Sequence, residues 1–169
     1  SSNQTFIDGI KNIETEFSVG TKVTTSTPVT HTVNQLNINA VRATLRFPSM
    51  QKFEDNGDIN GTEVNLVIKT IENNGTTTTV INDTVKGRST NAYFRDYLIK
   101  LKSTTSFPVQ IRVERITADS TDSKLVNAFS FHTATNIIFE QNAYPDTAHV
   151  ALRFNAEQFP RVPKRVFKI

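Results

Sequence analysis

The chain has no cysteine, no tryptophan and a single methionine, with only six glycines and six prolines in 169 residues. Without cysteine there is no disulfide, no thiolate-ligated zinc and no thiol nucleophile, so whatever core forms must hold by packing alone. No apolar run approaches the roughly 18 residues that a membrane-spanning helix needs, so no membrane span is expected. The first residues, SSNQTFIDGIKNIETEF, lack the basic-then-apolar pattern of a secretory leader. Charge of one sign is scarce as well. Nineteen Lys and Arg stand against sixteen Asp and Glu, a formal +3 that is too mild to suggest a nucleic-acid partner. The one basic cluster, Arg161, Lys164, Arg165 and Lys168, reads as a solvated strand edge.

What the chain does have is period-two alternation. Val41, Ala43, Leu45 and Phe47 alternate with Arg42, Thr44 and Arg46, and Pro48 closes the run. Val64, Leu66 and Ile68 share a face, as do Tyr97, Ile99 and Leu101, and Phe107, Val109, Ile111 and Val113. The Thr-rich run TTTTVINDTVKG at 76–87 is a further strand, and Phe129 and Phe131 alternate with Ser130 and His132. Val150, Leu152 and Phe154 form one more, entered through Tyr144-Pro145-Asp146. Turn signals separate the runs: Asn56-Gly57, Asn60-Gly61, Asn74-Gly75, Lys86-Gly87 and the polar stretch ADSTDS at 118–123. About eight or nine strands, each with one oily face, predict an all-β, antiparallel two-sheet sandwich, jelly-roll-like by first choice and fibronectin-like as the alternative. The exception is the start, where Phe6, Ile10, Ile13 and Phe17 fall at helical spacing and predict a short N-terminal helix over about 4–16. The expected organisation is a linker or helix at 1–20, a sandwich at 21–160, and a terminal strand at 161–169 that stops mid-pattern, as in a piece of a longer protein.

Reactive constellations are sparse. His31, His132 and His149 belong to no HExxH or HxH pattern, and no metal site is assigned to them. Asn56, Asp58, Asn60 and Gly61 match positions 1, 3, 5 and 6 of a calcium loop, but position 12 is Val67 where a bidentate carboxylate is required, so a hairpin loop is expected instead. Carboxylate pairs for hydrolysis would come from Asp55, Asp58, Glu63, Asp83, Asp96, Glu114, Glu140 or Glu157, and no spacing favours any pair. There is no GxSxG, P-loop or GxGxxG. The Asn-Gly-Thr triplets at 60–62 and 74–76 read as turns. Exposed aromatics offer one binding chemistry: Tyr93 and Phe94 are adjacent, so one of them faces solvent if the segment is a strand. No catalytic, cofactor-binding or metal residue is assigned.

Several phrases carry more information than their strand character requires. YPDTAHVALRFNAEQF at 144–159 followed by VPKRVFKI, GDINGTEVNLVI at 57–68, VQIRVERITADSTDSKLVNAFSF at 109–131 and FIDG at 6–9 resemble, in the same order, the tail tip protein J family of lambda-like phages, also called host specificity protein J. The resemblance implies a non-enzymatic, β-rich internal domain of a protein at the distal tail tip of a virion. It implies other tail tip proteins as partners, a homotrimeric full-length protein, and a host receptor met through other regions. It carries no catalytic residue onto this sequence.

Overall fold

The structure, a computed structural model, describes residues 12–139. Nearly all of these fall in one compact unit, Glu14–Ile138. The predicted strand at 150–155, the basic cluster at 161–168, Tyr144, His149, Glu140 and Glu157 lie outside the described residues.

Eleven strands run in order: β1 (Asn12–Val23), β2 (Val29–Val33), β3 (Ala40–Phe47), β4 (Gln51–Phe53), β5 (Ile59–Asn60), β6 (Thr62–Ile71), β7 (Thr77–Gly87), β8 (Tyr93–Lys100), β9 (Val109–Arg115), β10 (Leu125–Val126) and β11 (Phe129–Phe139). Two four-stranded sheets form, ordered β1-β11-β3-β8 and β2-β9-β6-β7, with a small third sheet ordered β10-β4-β5. The eight long strands pair as a single ribbon would: β6 with β7 at its tip, then β3 with β8, β2 with β9 and β1 with β11. Rolling that ribbon adds the contacts of β11 with β3 and of β9 with β6. This is the strand order of a jelly roll, the first of the two sandwich topologies expected.

The alternating residues face where their period places them. Val41, Ala43, Leu45 and Phe47 from one sheet meet Val64, Leu66, Ile68, Val109, Ile111 and Val113 from the other, all fully buried or nearly so, with Phe129, Phe131 and Ile99 among them. Burying each such side chain is worth about 1.5–3 kcal/mol. Phe47 stacks between Tyr93 and Phe129, with ring centroids 5.1 and 5.4 Å away. At the open edge, Asp83 of β7 accepts a hydrogen bond from the Tyr97 hydroxyl of β8 at 2.7 Å and an ion pair from Arg95 at 2.8 Å, tying the two sheets together. Burial, and the hydrogen bond to Asp83 after it, push the Tyr97 phenol well above its ordinary pKa.

One expectation is corrected. Residues 12–16, predicted as the end of a helix, and 17–20, predicted as linker or helix, belong to the twelve-residue strand β1. Ile13 and Phe17 are exposed there, so their helical spacing marks no buried stripe, and pairing with β11 decides the conformation. Residues 4–11 of the predicted helix lie outside the described residues. Among the described residues, no helix is long and apolar enough to cross a membrane.

Candidate functional site

Among the described residues, the carboxylates that chemistry could recruit are mostly committed to neighbouring groups. In the loop joining β4 to β5, Asp58 accepts from the Asn56 amide at 2.7 Å, and the Asp58 N–H donates to Asn56 Oδ1 at 3.0 Å. Glu54 accepts from Asn60 and pairs with Lys52, both near 3 Å, while Asp55 pairs with Lys124. Gly57 at φ 89° completes the reversal. The resemblance to a calcium loop thus resolves into a hairpin turn that uses its carboxylates internally. The other candidate carboxylates behave alike: Glu63 pairs with Lys86, Asp96 accepts from Thr44, and Glu114 lies between Lys69 and Arg112 at 2.8 and 3.0 Å. Each described acid has its own donor or cation, and none converges on another.

The two described histidines are separated. His31 shares the inward face of β2 with Val29 and Val33 and packs against Phe17, ring centroids 5.3 Å apart. Burial pulls its pKa below the ordinary value, and its enclosed Nε2 has no hydrogen-bond partner among the described residues. His132 stands on the opposite side of the sandwich, at the register shift between Phe131 and Thr133.

The charged group that sequence reading missed is Arg115, at the end of β9. It is 4% exposed. Its guanidinium donates to the carbonyls of Thr117 at 2.9 Å and Asn127 at 2.8 Å, to Asn127 Oδ1 at 2.7 Å and to the Ala118 carbonyl at 3.3 Å, and it pairs with Asp119 at 3.2 Å. Asn127 in turn donates to the Glu63 carbonyl. Burial pulls the guanidinium pKa down and Asp119 pushes back. The signal was available: 109, 111, 113 and 115 share parity, so the arginine continues the inward series.

One cation without an ion-pair partner among the described residues, Arg46, lies at one end of the outer face of the β1-β11-β3-β8 sheet. Phe94 and Tyr93 divide as their adjacency requires, Tyr93 stacking inward on Phe47 and Phe94 outward at 54% exposure. The Phe94 ring meets the His132 imidazole at 5.0 Å, tilted by 49°. Arg46 sits directly across from Phe94 on one side and Ser130 on the other, and makes no ion pair among the described residues. Along the same face Arg42 is held by Glu14 at 2.6 Å, and Thr44 by Asp96 at 2.7 Å.

The fold and this inventory define an all-β sandwich domain in which most described carboxylates pair with a neighbouring cation or donor. The sequence comparisons place it more closely: the chain belongs to the family described as tip attachment protein J, FNIII-A domain, whose model matches residues 13–140. That family is one of structural tail tip proteins, so the chain is a phage tail tip protein domain. The family description names a fibronectin type III domain; the sandwich is shared, while the strand order here is that of the rolled ribbon. The chain is 32% identical over 97% of its length to tip attachment protein J of Escherichia phage SECphi4, and 30% identical over 95% to that of Escherichia phage SECphi27. It spans only 14% and 13% of those two proteins. A solved structure from Sulfurospirillum deleyianum aligns over 77% of this chain and 99% of its own at 14% identity and a TM-score of 0.36, a likeness from which nothing further follows.

Proposed function

We propose that the chain serves as a non-catalytic structural domain of a tail tip protein J, contributing to assembly of the tail tip and to host attachment at the distal end of the virion. The observation that carries this reading is the family match over residues 13–140, joined to two relatives near 30% identity across almost the whole chain. The internal pairing of the acids and the cysteine-free, tightly packed core agree with a part built for shape. On this reading the full-length protein is a homotrimer, its neighbours are other tail tip proteins, and the receptor is met through other regions. On this reading the sandwich domain takes in β1 from Asn12 and does not begin at residue 21.

The test is a phage whose protein J lacks this domain in frame, compared with one in which an unrelated sandwich of similar size replaces it. Loss of assembled tips or of adsorption on deletion is the expected result. Particles that assemble and adsorb like the parent would refute the proposal. A second reading, a carbohydrate- or receptor-binding module of the virion, is favoured by one specific observation, the exposed Phe94 beside an arginine that has no ion pair among the described residues.

A further inference from the structure

We infer that the end of the outer sheet face formed by Arg46, Phe94, Ser130 and His132 is a binding site for an acidic saccharide, one that presents a sugar ring to Phe94 and an anionic substituent to Arg46. The site deepens the second reading above and rests on it for the source of the sugar, a cell surface.

Arg42 is matched by Glu14 and Asp96 is held by Thr44. Arg46, in the same row of β3, is half-buried and has no carboxylate partner among the described residues. A guanidinium held beside an aromatic ring in a partly desolvated position favours a bidentate anion, either carboxylate or phosphate. Register fixes the geometry. Residues directly opposite in an antiparallel pair have Cβ atoms about 4.5–5.5 Å apart, so the Phe94 ring and the Arg46 stem are immediate neighbours. On the other side of Arg46 stands the Ser130 hydroxyl.

The β-bulge supplies an independent pointer. The pairing of β11 with β3 shifts between Phe131 and Thr133, leaving His132 as the extra residue. Bulges re-aim a side chain, and this one brings the imidazole against the Phe94 ring at 5.0 Å. The imidazole props one side of an aromatic platform whose other side stays open, since Phe94 is 54% exposed. Two residues further along β8, Asp96 offers a carboxylate to sugar hydroxyls, and beyond it Leu98 is 47% exposed on the same face. The alternation of aromatic, acid and aliphatic residues, with a cation at one end, is the mixed apolar and hydrogen-bonding surface on which a sugar ring lies.

A protein partner fits less well. It would bury about 800 Å² per side, whereas the apolar groups here are two side chains separated by Asp96.

The probe is a phosphorylated core oligosaccharide from rough lipopolysaccharide, titrated into the 169-residue chain, alongside the same oligosaccharide after removal of its phosphates. The expected result is saturable binding that weakens by about tenfold on dephosphorylation, by about tenfold in R46M, and beyond detection in F94A. Thr32→Ala, on the opposite sheet, leaves it unchanged. Should F94A fail to fold, R46M decides, because its side chain is not in the core. Equal binding of the two oligosaccharides, equal binding by wild type and R46M, no binding up to about 10 mM, or a self-association abolished by R46M would each overturn the inference. Failure here leaves the structural role standing. A domain-deleted phage that adsorbs normally would refute that role without touching a measured affinity.

Discussion

Replacing Arg115 tests how this small sandwich holds a charge inside. Substituting a buried ionic group by a hydrophobe of similar volume is often neutral when every partner is replaced too. That route is closed here, because three of the acceptors are main-chain carbonyls, at Thr117, Ala118 and Asn127. Arg115→Met fills most of the volume yet strands the Asn127 carbonyl and Oδ1, both bonded to Arg115 inside the protein. Each stranded acceptor costs about 1–3 kcal/mol, and removing one member of a buried charged network costs about 3–5 kcal/mol in all. With a urea m-value of about 2 kcal/mol/M, the unfolding midpoint falls by about 2 M, and the melting temperature by about 10–15 °C. Asp119→Asn is the control. Its side chain is 43% exposed, so losing the ion pair costs at most about 1 kcal/mol. Urea denaturation followed by tyrosine fluorescence and circular dichroism measures both. A methionine variant with the wild-type midpoint, or an asparagine variant as damaged as the methionine one, would refute the account of Arg115 as a donor to main-chain acceptors.

Two further outcomes follow from positions already described. His31 has a folded pKa below its unfolded one, so the unfolded chain takes up the proton first and stability declines as pH falls below about 6.5; comparing urea midpoints at pH 7.5 and pH 5 for wild type and His31→Gln should show a smaller fall in the variant, and an unchanged fall would discard this assignment. Gly61→Ala puts a Cβ 2.9 Å from the Gly87 carbonyl oxygen, a main-chain atom that cannot swing away, so a loss of about 1–3 kcal/mol is expected in chemical denaturation, against which a fully stable alanine variant would count.

Much of the sandwich could be read from the chain because its strands obey one rule. The faces assigned to 41–47, 64–68, 97–101, 107–113 and 129–131 are those that enter the core or pack against it. Where the rule failed, competing physics explains it. At 12–17, Ile13 and Phe17, two of the four apolar residues spaced like a helix, belong to a strand, since spacing alone cannot distinguish a buried stripe from exposed side chains on a sheet edge. Arg115 was passed over because a charge in an inward register looks like an error until the carbonyls around it are known. The Phe94 site was half legible: parity split Tyr93 from Phe94, but the neighbourhood of Arg46 and His132 depends on which strands become neighbours, which local pattern does not encode. The short strands β4, β5 and β10 fall below the length at which alternation can be seen.

Because the first and last described strands lie side by side, with Glu14 bonded to Arg42 and Glu16 to Thr133, they run in opposite directions, and β1 starts where β11 stops. Tension drawn through those two ends would part the ladder one rung at a time, as a zipper opens, instead of shearing all its rungs together.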